Sequence, residues 1–156
     1  MNSHKSPKLP LTDEERRQLR SWKIKLADIP MLDEEKLASV LQVDLERARL
    51  LKGMAAFQQI PSIGEKFAYD LAHTLGYCRL DELKDEKWPE VFHRLELSYG
   101  CWIDPCVEDQ VICVIHHANH PESDKQWFDF TEERKLYRKQ HGYPASRPTE
   151  SWFGSR

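Results

Sequence analysis

Two parts of the sequence combine residue types that could do chemistry. The first is the stretch FQQIPSIGEKFAYDL at residues 57–71. Pro61 cannot donate a backbone hydrogen bond and Gly64 can adopt backbone angles closed to other residues, so together they predict a sharp turn between two helices. The first backbone N–H groups of a helix have no partner within it, and the helix dipole leaves partial positive charge there, so such a turn can bind a phosphate. Lys66 adds positive charge near this point, whereas Glu65 and Asp70 oppose anion binding.

The second part is a set of side chains that can ligate zinc or iron: Cys101, Cys106, Cys113, His116, His117 and His120. On a helix, the spacing of Cys106 and Cys113 corresponds to about 10.5 Å, which is too far for one shared ion. Cys113 with His117, and His116 with His120, are i, i+4 pairs that could each supply two ligands. The sequence contains no CxxC pair. We therefore expect no metal and no other cofactor, although these pairs leave the question of a metal open.

The elements that must position these residues are predicted to be helices. Thr12 and Glu15 match a capping box, Pro89 suits the first turn of a helix, and Asp104 followed by Pro105 suits the start of another. Apolar spacing and these caps predict helices over about 12–27, 33–41, 44–57, 65–75, 80–83, 89–99, 105–118 and 131–140. The helix at 105–118 is apolar over much of its circumference, so we expect it to be the most buried.

Residues 60–68 resemble the helix-hairpin-helix motif, usually written hydrophobic-Pro-Gly-hydrophobic-Gly-x-Lys-x-Ala. The positions that match are Ile60, Pro61, Ile63, Gly64, Lys66 and Ala68. Ser62 stands where the motif has its first glycine. More broadly, the stretch from about Met54 to Ala118, with LDELKD and YGCWIDPCVEDQVICVIHHA, resembles a small bacterial family labelled "pathogenicity locus", some members of which are called mitomycin resistance protein.

The resemblance implies weak, sequence-independent binding of the double-stranded DNA backbone by a protein that is not an enzyme. The residues that it implicates are Ile60, Pro61, Ser62, Ile63, Gly64, Glu65 and Lys66. It also implies a link to DNA repair or mitomycin resistance. The implied fold is an all-α, compact helical bundle with one helix-hairpin-helix motif, of the SAM-like or tandem type.

A second, degenerate copy of the motif is a further hypothesis. Ile29-Pro30-Met31-Leu32 repeats the start of Ile60-Pro61-Ser62-Ile63, and Asp33 then stands where Gly64 stands. Two such units often pair into a pseudo-symmetric bundle in proteins that carry this motif. The alternative is that an Ile-Pro pair precedes a helix here by chance, and the sequence leaves both open.

The charge distribution limits the DNA hypothesis. Between Leu26 and Asp124 there are nine Lys/Arg and nineteen Asp/Glu, whereas the first 25 residues carry seven Lys/Arg and three Asp/Glu. A nucleic-acid-binding surface is usually basic, so the acidic centre favours the alternative function, a protein-interaction or scaffold module. Phosphate-binding loops, dinucleotide fingerprints and nucleophile elbows are absent from the sequence, which agrees with a non-enzymatic role.

Composition also suggests how the chain is organised. We expect a flexible N-terminal arm at residues 1–11, a helical domain at 12–120, and an aromatic and basic extension at 121–156 that packs on the core and ends in a loose tail. The sequence has neither an apolar run of transmembrane length nor the apolar region of a signal peptide. We therefore expect a cytoplasmic protein with reduced cysteines that does not bind membranes; its oligomeric state is left open.

Overall fold

The computed structural model of the protein describes residues 5–151, and this part of the chain is helical without β-strands. The all-α class is confirmed. The α-helices are α1 (Asp13–Ser21), α2 (Glu34–Leu41), α3 (Leu45–Phe57), α4 (Glu65–Tyr69), α5 (Trp88–Tyr99), α6 (Pro105–Asn119) and α7 (Thr131–His141). Short 3₁₀-helices span Leu26–Met31, Leu80–Leu83 and Trp127–Phe130, and α4 continues as a π-helical turn over Asp70–Thr74. Residues 1–4 and 152–156, the ends of the expected arm and tail, lie outside the described residues.

Contacts divide the chain into two compact units, one up to Arg79 and one from Leu80. The boundaries predicted near residues 12 and 121 are based on the composition of the sequence, whereas the division after Arg79 is based on contacts in the structure. Among the helices of residues 5–151, none combines the length and the hydropathy needed to cross a bilayer.

Helix α3 is the centre of the first unit and packs against α2, α4 and the 3₁₀-helix at Leu26–Met31. Its large buried side chains share this core with residues from the neighbouring elements; the fully buried ones include Ile29, Leu37, Leu41, Leu51, Phe57 and Leu71. Gly53 lies inside α3, where a Cβ would come within 3.1 Å of the Cys78 backbone. Its lack of a side chain therefore allows the chain at Cys78 to pack directly on the helix.

The helix starts in this unit are capped by side chains. Thr12 and Glu15 form the predicted capping box of α1, and the side chains of Asp33 and Asp44, where the next two helices were predicted to begin, cap α2 and α3. The predicted end of the first helix at about Ala27 is wrong, because α1 ends at Ser21. Lys23 adopts a left-handed φ of +56°, which a helix cannot continue through, and it leaves Trp22 mostly exposed.

Helix α6 is the centre of the second unit and contacts α5, α7 and the 3₁₀-helices at Leu80–Leu83 and Trp127–Phe130. Its apolar residues are buried as predicted, among them Val107, Val111, Ile112 and Val114. Pro105 begins the helix after Asp104, whose carboxylate accepts a hydrogen bond from the Cys106 N–H at 2.7 Å. Helix α5 ends at Gly100, which has a left-handed φ of +69°.

None of the residues of helix α7 is buried, and the helix is attached by ion pairs and ring contacts. Arg134 donates to buried Asp109 of α6, and Arg138 donates through Nε to Oε1 of buried Glu108 at 2.7 Å. The other Glu108 oxygen, Oε2, accepts the Tyr143 hydroxyl at 2.5 Å. Both carboxylates of α6 are therefore satisfied by residues from the C-terminal section, as a buried charge requires.

The expectation of a loose tail after α7 is wrong for the described residues 142–151. Arg147 makes a bidentate ion pair with buried Glu96 of α5, with two N···O distances of 3.0 Å. The ring of Tyr143 lies between two guanidinium groups, with its centroid 4.0 Å from Cζ of Arg138 and 3.6 Å from Cζ of Arg147. These contacts are polar and long-range, so hydrophobic periodicity does not reveal them.

Candidate functional site

The α3–α4 turn comprises residues 58–64, between the end of α3 at Phe57 and the start of α4 at Glu65. Ile60 and Ile63 are buried and anchor the turn on the core, while Gly64, Glu65 and Lys66 are exposed. The Ile60 N–H donates to the Phe57 carbonyl, and the Ile63 N–H donates to the Ile60 carbonyl, both at 3.2 Å. Two buried isoleucines and two backbone bonds thus hold an exposed segment in a defined conformation.

Ser62 has a φ of +67°, in the left-handed region that favours glycine. This is the position at which the helix-hairpin-helix pattern has its first glycine. Its hydroxyl donates to the Pro61 carbonyl at 2.5 Å, a local bond that partly offsets the strain. The backbone at residue 62 therefore takes a conformation for which glycine would be suited, although the sequence has serine.

Gly64 is the N-cap of α4, and its geometry differs from the prediction. Its φ of −101° and ψ of −174° are open to any residue, so the turn does not need glycine here for its backbone angles. Within the described chain, nothing lies within 4 Å of a Cβ placed on Gly64, and no side chain caps α4. Since Gly64, Glu65 and Lys66 are also exposed, the start of α4 is uncapped and open to solvent.

The charges around the turn are mixed. Lys66 and Glu65 are exposed at the start of α4, whereas Asp70, which the sequence suggested as an opposing charge, is fully buried. Its carboxylate therefore does not contribute to the exposed surface of the turn. Of the charges within residues 60–70, those that a ligand at the turn would meet are one lysine and one glutamate.

The N-terminal arm, residues 5–11, is docked beside the turn by two consecutive glutamines. Gln58 accepts from the Lys8 N–H and donates to the Lys8 carbonyl, both at 2.9 Å. Gln59 pairs in the same way with the backbone of Lys5, at 3.0 Å for both bonds. Leu9 is also buried, so the arm is held by side chains where the sequence predicts a flexible segment.

The docked arm and the turn line one open cleft of about 270 Å³, formed by Lys5, Ser6, Pro7, Lys8, Gln58, Ile63, Gly64 and Glu65. Since one water occupies about 30 Å³, a cleft of this size holds several water molecules or a small anionic group. Lys5, Lys8 and the two glutamines were not among the candidate site residues of the sequence. The two adjacent glutamines before the turn were the only sign of these contacts in the stretch 57–71, and the arm to which they bond lies at least 50 residues away in the sequence.

The start of α2, which the repeat hypothesis compares with the start of α4, is different in chemistry. Asp33 does occupy the N-cap position, as Gly64 does in α4. However, its own carboxylate accepts the Lys36 N–H at 2.6 Å and covers the helix start with negative charge. Of the described residues, Met31 is not among those with a positive φ, whereas Ser62 is. An anion would therefore not be favoured at α2.

The cysteines and histidines of the second candidate group take part in local packing. His117 is buried and its Nε2 lies 2.8 Å from the Lys125 carbonyl, while Nε2 of His116 lies 2.9 Å from the Ser123 hydroxyl. Burial lowers the pKa of His116, and the neighbouring His120 and His117 lower it further. Burial and, secondarily, Asp129 raise the pKa of the Cys113 thiol to about 12.

The remaining members of this group are dispersed. Cys101 is buried, whereas Cys106 is exposed. The His116 and His120 rings are in contact, with centroids 4.7 Å apart. In the part of the chain that the structure describes, no three His, Cys, Asp or Glu side chains form a group that could hold a metal ion.

The fold and the turn define a small all-helical protein in two units with an exposed, uncapped helix start. Comparison with known families gives a match to the family described as pathogenicity locus over residues 51–136, which is more than half of the chain. The chain therefore belongs to the pathogenicity locus family. The match begins in α3 and includes the α3–α4 turn, all of α5 and α6, and part of α7. No curated protein and no solved structure matches the chain significantly.

Proposed function

We propose that this protein binds the backbone of double-stranded DNA, without sequence preference, through Ile60 to Lys66 of the α3–α4 turn. The observation that carries the proposal is the uncovered start of α4, where Gly64 leaves the backbone accessible and Lys66 adds positive charge. N–H groups at a helix start and a nearby lysine suit a phosphate oxygen. The left-handed Ser62 supports the proposal, because it occupies the first glycine position of the helix-hairpin-helix pattern.

The role of Gly64 can be separated from the fold. Its backbone angles are accessible to alanine, and a Cβ there would meet no atom of the described chain within 4 Å. Gly64→Ala should therefore keep or slightly raise the free energy of unfolding, by about 0.4–1 kcal/mol. The added methyl group would nevertheless stand where a phosphate must approach, so DNA affinity should fall.

The test is fluorescence anisotropy of a labelled duplex with the wild type, Gly64→Ala and Lys66→Glu at low and moderate salt. Lys36→Glu is the charge-matched control, since Lys36 is exposed in the same unit and does not line the cleft. We expect salt-sensitive binding that both turn variants weaken more than the control. Absence of binding by the wild type at low salt, or equal binding by all variants, would refute the proposal.

A second candidate function is protein binding through the C-terminal section. Phe128 and Leu136, which lie close in sequence, are each more than half exposed. Exposed apolar surface is a feature of protein-interaction sites. This interaction or scaffold role becomes the preferred one if DNA does not bind. The link to DNA repair or mitomycin resistance that the resemblance implies stays a prediction under either function.

A further inference from the structure

We propose that the N-terminal arm is the second half of the DNA interface, with Lys5 and Lys8 contacting backbone phosphates beside the α3–α4 turn. This inference rests on the proposed function and extends it to residues outside the family match at 51–136. It assigns the ligand class, the phosphodiester backbone of duplex DNA, to the cleft between the arm and the turn.

The arm is docked at specific positions of its main chain. Four hydrogen bonds of 2.9–3.0 Å join the Gln58 and Gln59 amides to the backbone of Lys8 and Lys5. Each amide uses its oxygen and its nitrogen on one arm residue, so the bonds fix the position of the main chain. The lysine side chains take no part in this docking and are exposed. The arrangement thus presents two ammonium groups without using them to hold the arm.

The arm also changes the charge beside the turn. The turn alone offers Lys66 against Glu65, which would be nearly neutral to an approaching phosphate. Lys5 and Lys8 line the same cleft as Gly64 and Glu65, so the arm makes the local charge positive. The basic charge that DNA binding requires, which the acidic centre of the sequence lacks, is therefore supplied from the N-terminal end of the chain.

The burial pattern of the arm leaves both lysines at the surface. Pro7 and Leu9 are buried, Lys8 between them is exposed, and Lys5 before them is also exposed. Lys5 and Lys8 are three residues apart, and an extended chain advances about 3.3 Å per residue. Their backbone positions can therefore be up to about 10 Å apart, a distance that allows each lysine to contact a different phosphate.

The experiment compares Lys5→Ala/Lys8→Ala with the matched control Lys25→Ala/Lys36→Ala, which removes two exposed lysines of the same unit outside the cleft. Duplex affinity is measured by anisotropy as a function of salt. Each lost phosphate contact should reduce the slope of log K against log salt concentration by about 0.9. Near 0.1 M salt, this change in slope corresponds to a loss of affinity of roughly eightfold. We expect the arm variant to lose roughly 60-fold in affinity and the control to lose much less.

A second variant, Gln58→Leu/Gln59→Leu, keeps every charge but removes the bonds that dock the arm. Its release is followed independently as faster trypsin cleavage after Lys8, because Leu9 is buried in the docked arm. We expect this variant to bind DNA more weakly than the wild type, and duplex DNA to protect the wild-type arm from trypsin. Wild-type affinity in a variant whose arm is released would overturn the inference.

The outcomes separate the inference from the proposed function. If Gly64→Ala and Lys66→Glu weaken binding while the arm variant matches its control, the turn binds DNA and the arm inference is wrong. If the wild type does not bind duplex DNA at low salt, both are wrong.

Discussion

The ion pair between Glu108 of α6 and Arg138 of α7 should dominate the attachment of the C-terminal section. The Glu108 side chain is fully buried and that of Arg138 is 9 % exposed, with an Nε···Oε1 distance of 2.7 Å. Replacing Arg138 by methionine would leave Glu108 with the Tyr143 hydroxyl as a donor but without its countercharge. Removing one member of a buried pair typically costs about 3–5 kcal/mol, because the remaining charge stays desolvated.

This cost is large relative to the whole stability. A domain of ordinary stability unfolds with about 5–15 kcal/mol, and 1 kcal/mol shifts the melting temperature of a chain of this size by about 2–4 °C. Arg138→Met should therefore lower Tm by roughly 10 °C. Urea unfolding followed by circular dichroism gives the corresponding change in free energy at constant m.

A double-mutant cycle tests the reasoning. Glu108→Gln/Arg138→Met removes both charges, so it should be less destabilised than the sum of the two single variants, with a coupling free energy of about 2–3 kcal/mol. The control is the exposed pair of Glu14 and Arg17, whose side chains are 58 % and 64 % exposed at an N···O distance of 2.6 Å. Its loss should cost less than about 1 kcal/mol despite the shorter distance. A cost below 1 kcal/mol for Arg138→Met, or additivity in the cycle, would refute the argument that burial sets the energy.

Three further predictions concern the turn and the second unit. Ser62→Gly should relieve the strain of the left-handed backbone and stabilise the protein by up to about 1 kcal/mol, whereas Ser62→Ala should destabilise it. Urea unfolding that ranks the two variants in the reverse order would contradict this prediction. Cys113, with its buried thiol and a pKa of about 12, should resist Ellman's reagent at pH 8 until the protein unfolds, while exposed Cys106 reacts; mass spectrometry of the labelled protein checks the order. Burial and neighbouring His120 lower the pKa of His116 below its ordinary value of 6.5, so between these two pKa values the unfolded state binds more protons than the folded state. The contribution of His116 to stability is therefore present above pH 6.5 and is lost as the pH falls through the folded-state pKa. NMR titration should find His116 below 6.5 and shifted upward in His120→Gln, and an unshifted curve would disprove the coupling.

The α-helices were largely predictable because their signals are local. Side chains that cap a helix act within three residues, as Asp33 and Asp44 do, and apolar spacing marks one face of a helix. The predicted end of α1 is wrong because apolar spacing continues through Trp22, although the backbone leaves the helix at Lys23. A single left-handed residue has little signature in composition when it is a lysine.

The candidate site was predictable only in part. The position of the turn follows from Pro61 and the flanking apolar stripes, and its exposure at Gly64, Glu65 and Lys66 agrees with the motif pattern. Gly64 does not use backbone angles closed to other residues, because the left-handed conformation is at Ser62 instead. The pattern of residue types identified the turn, but the backbone angles within it depend on how Ile60 and Ile63 anchor to the core.

The sequence alone determined the all-α class, most helix bounds, the family and the place of the turn, because caps, periodicity and motif residues act over short distances. Only the tertiary structure decided which distant segments meet. The pairing of Lys5 and Lys8 with Gln59 and Gln58 spans 54 and 50 residues, and the pairing of Arg147 with Glu96 spans 51. Polar side chains of this kind have many possible partners in an unfolded chain, and packing of the apolar core selects among them. The positions of these polar contacts are therefore set by the tertiary fold, whereas the helices are set by local chemistry.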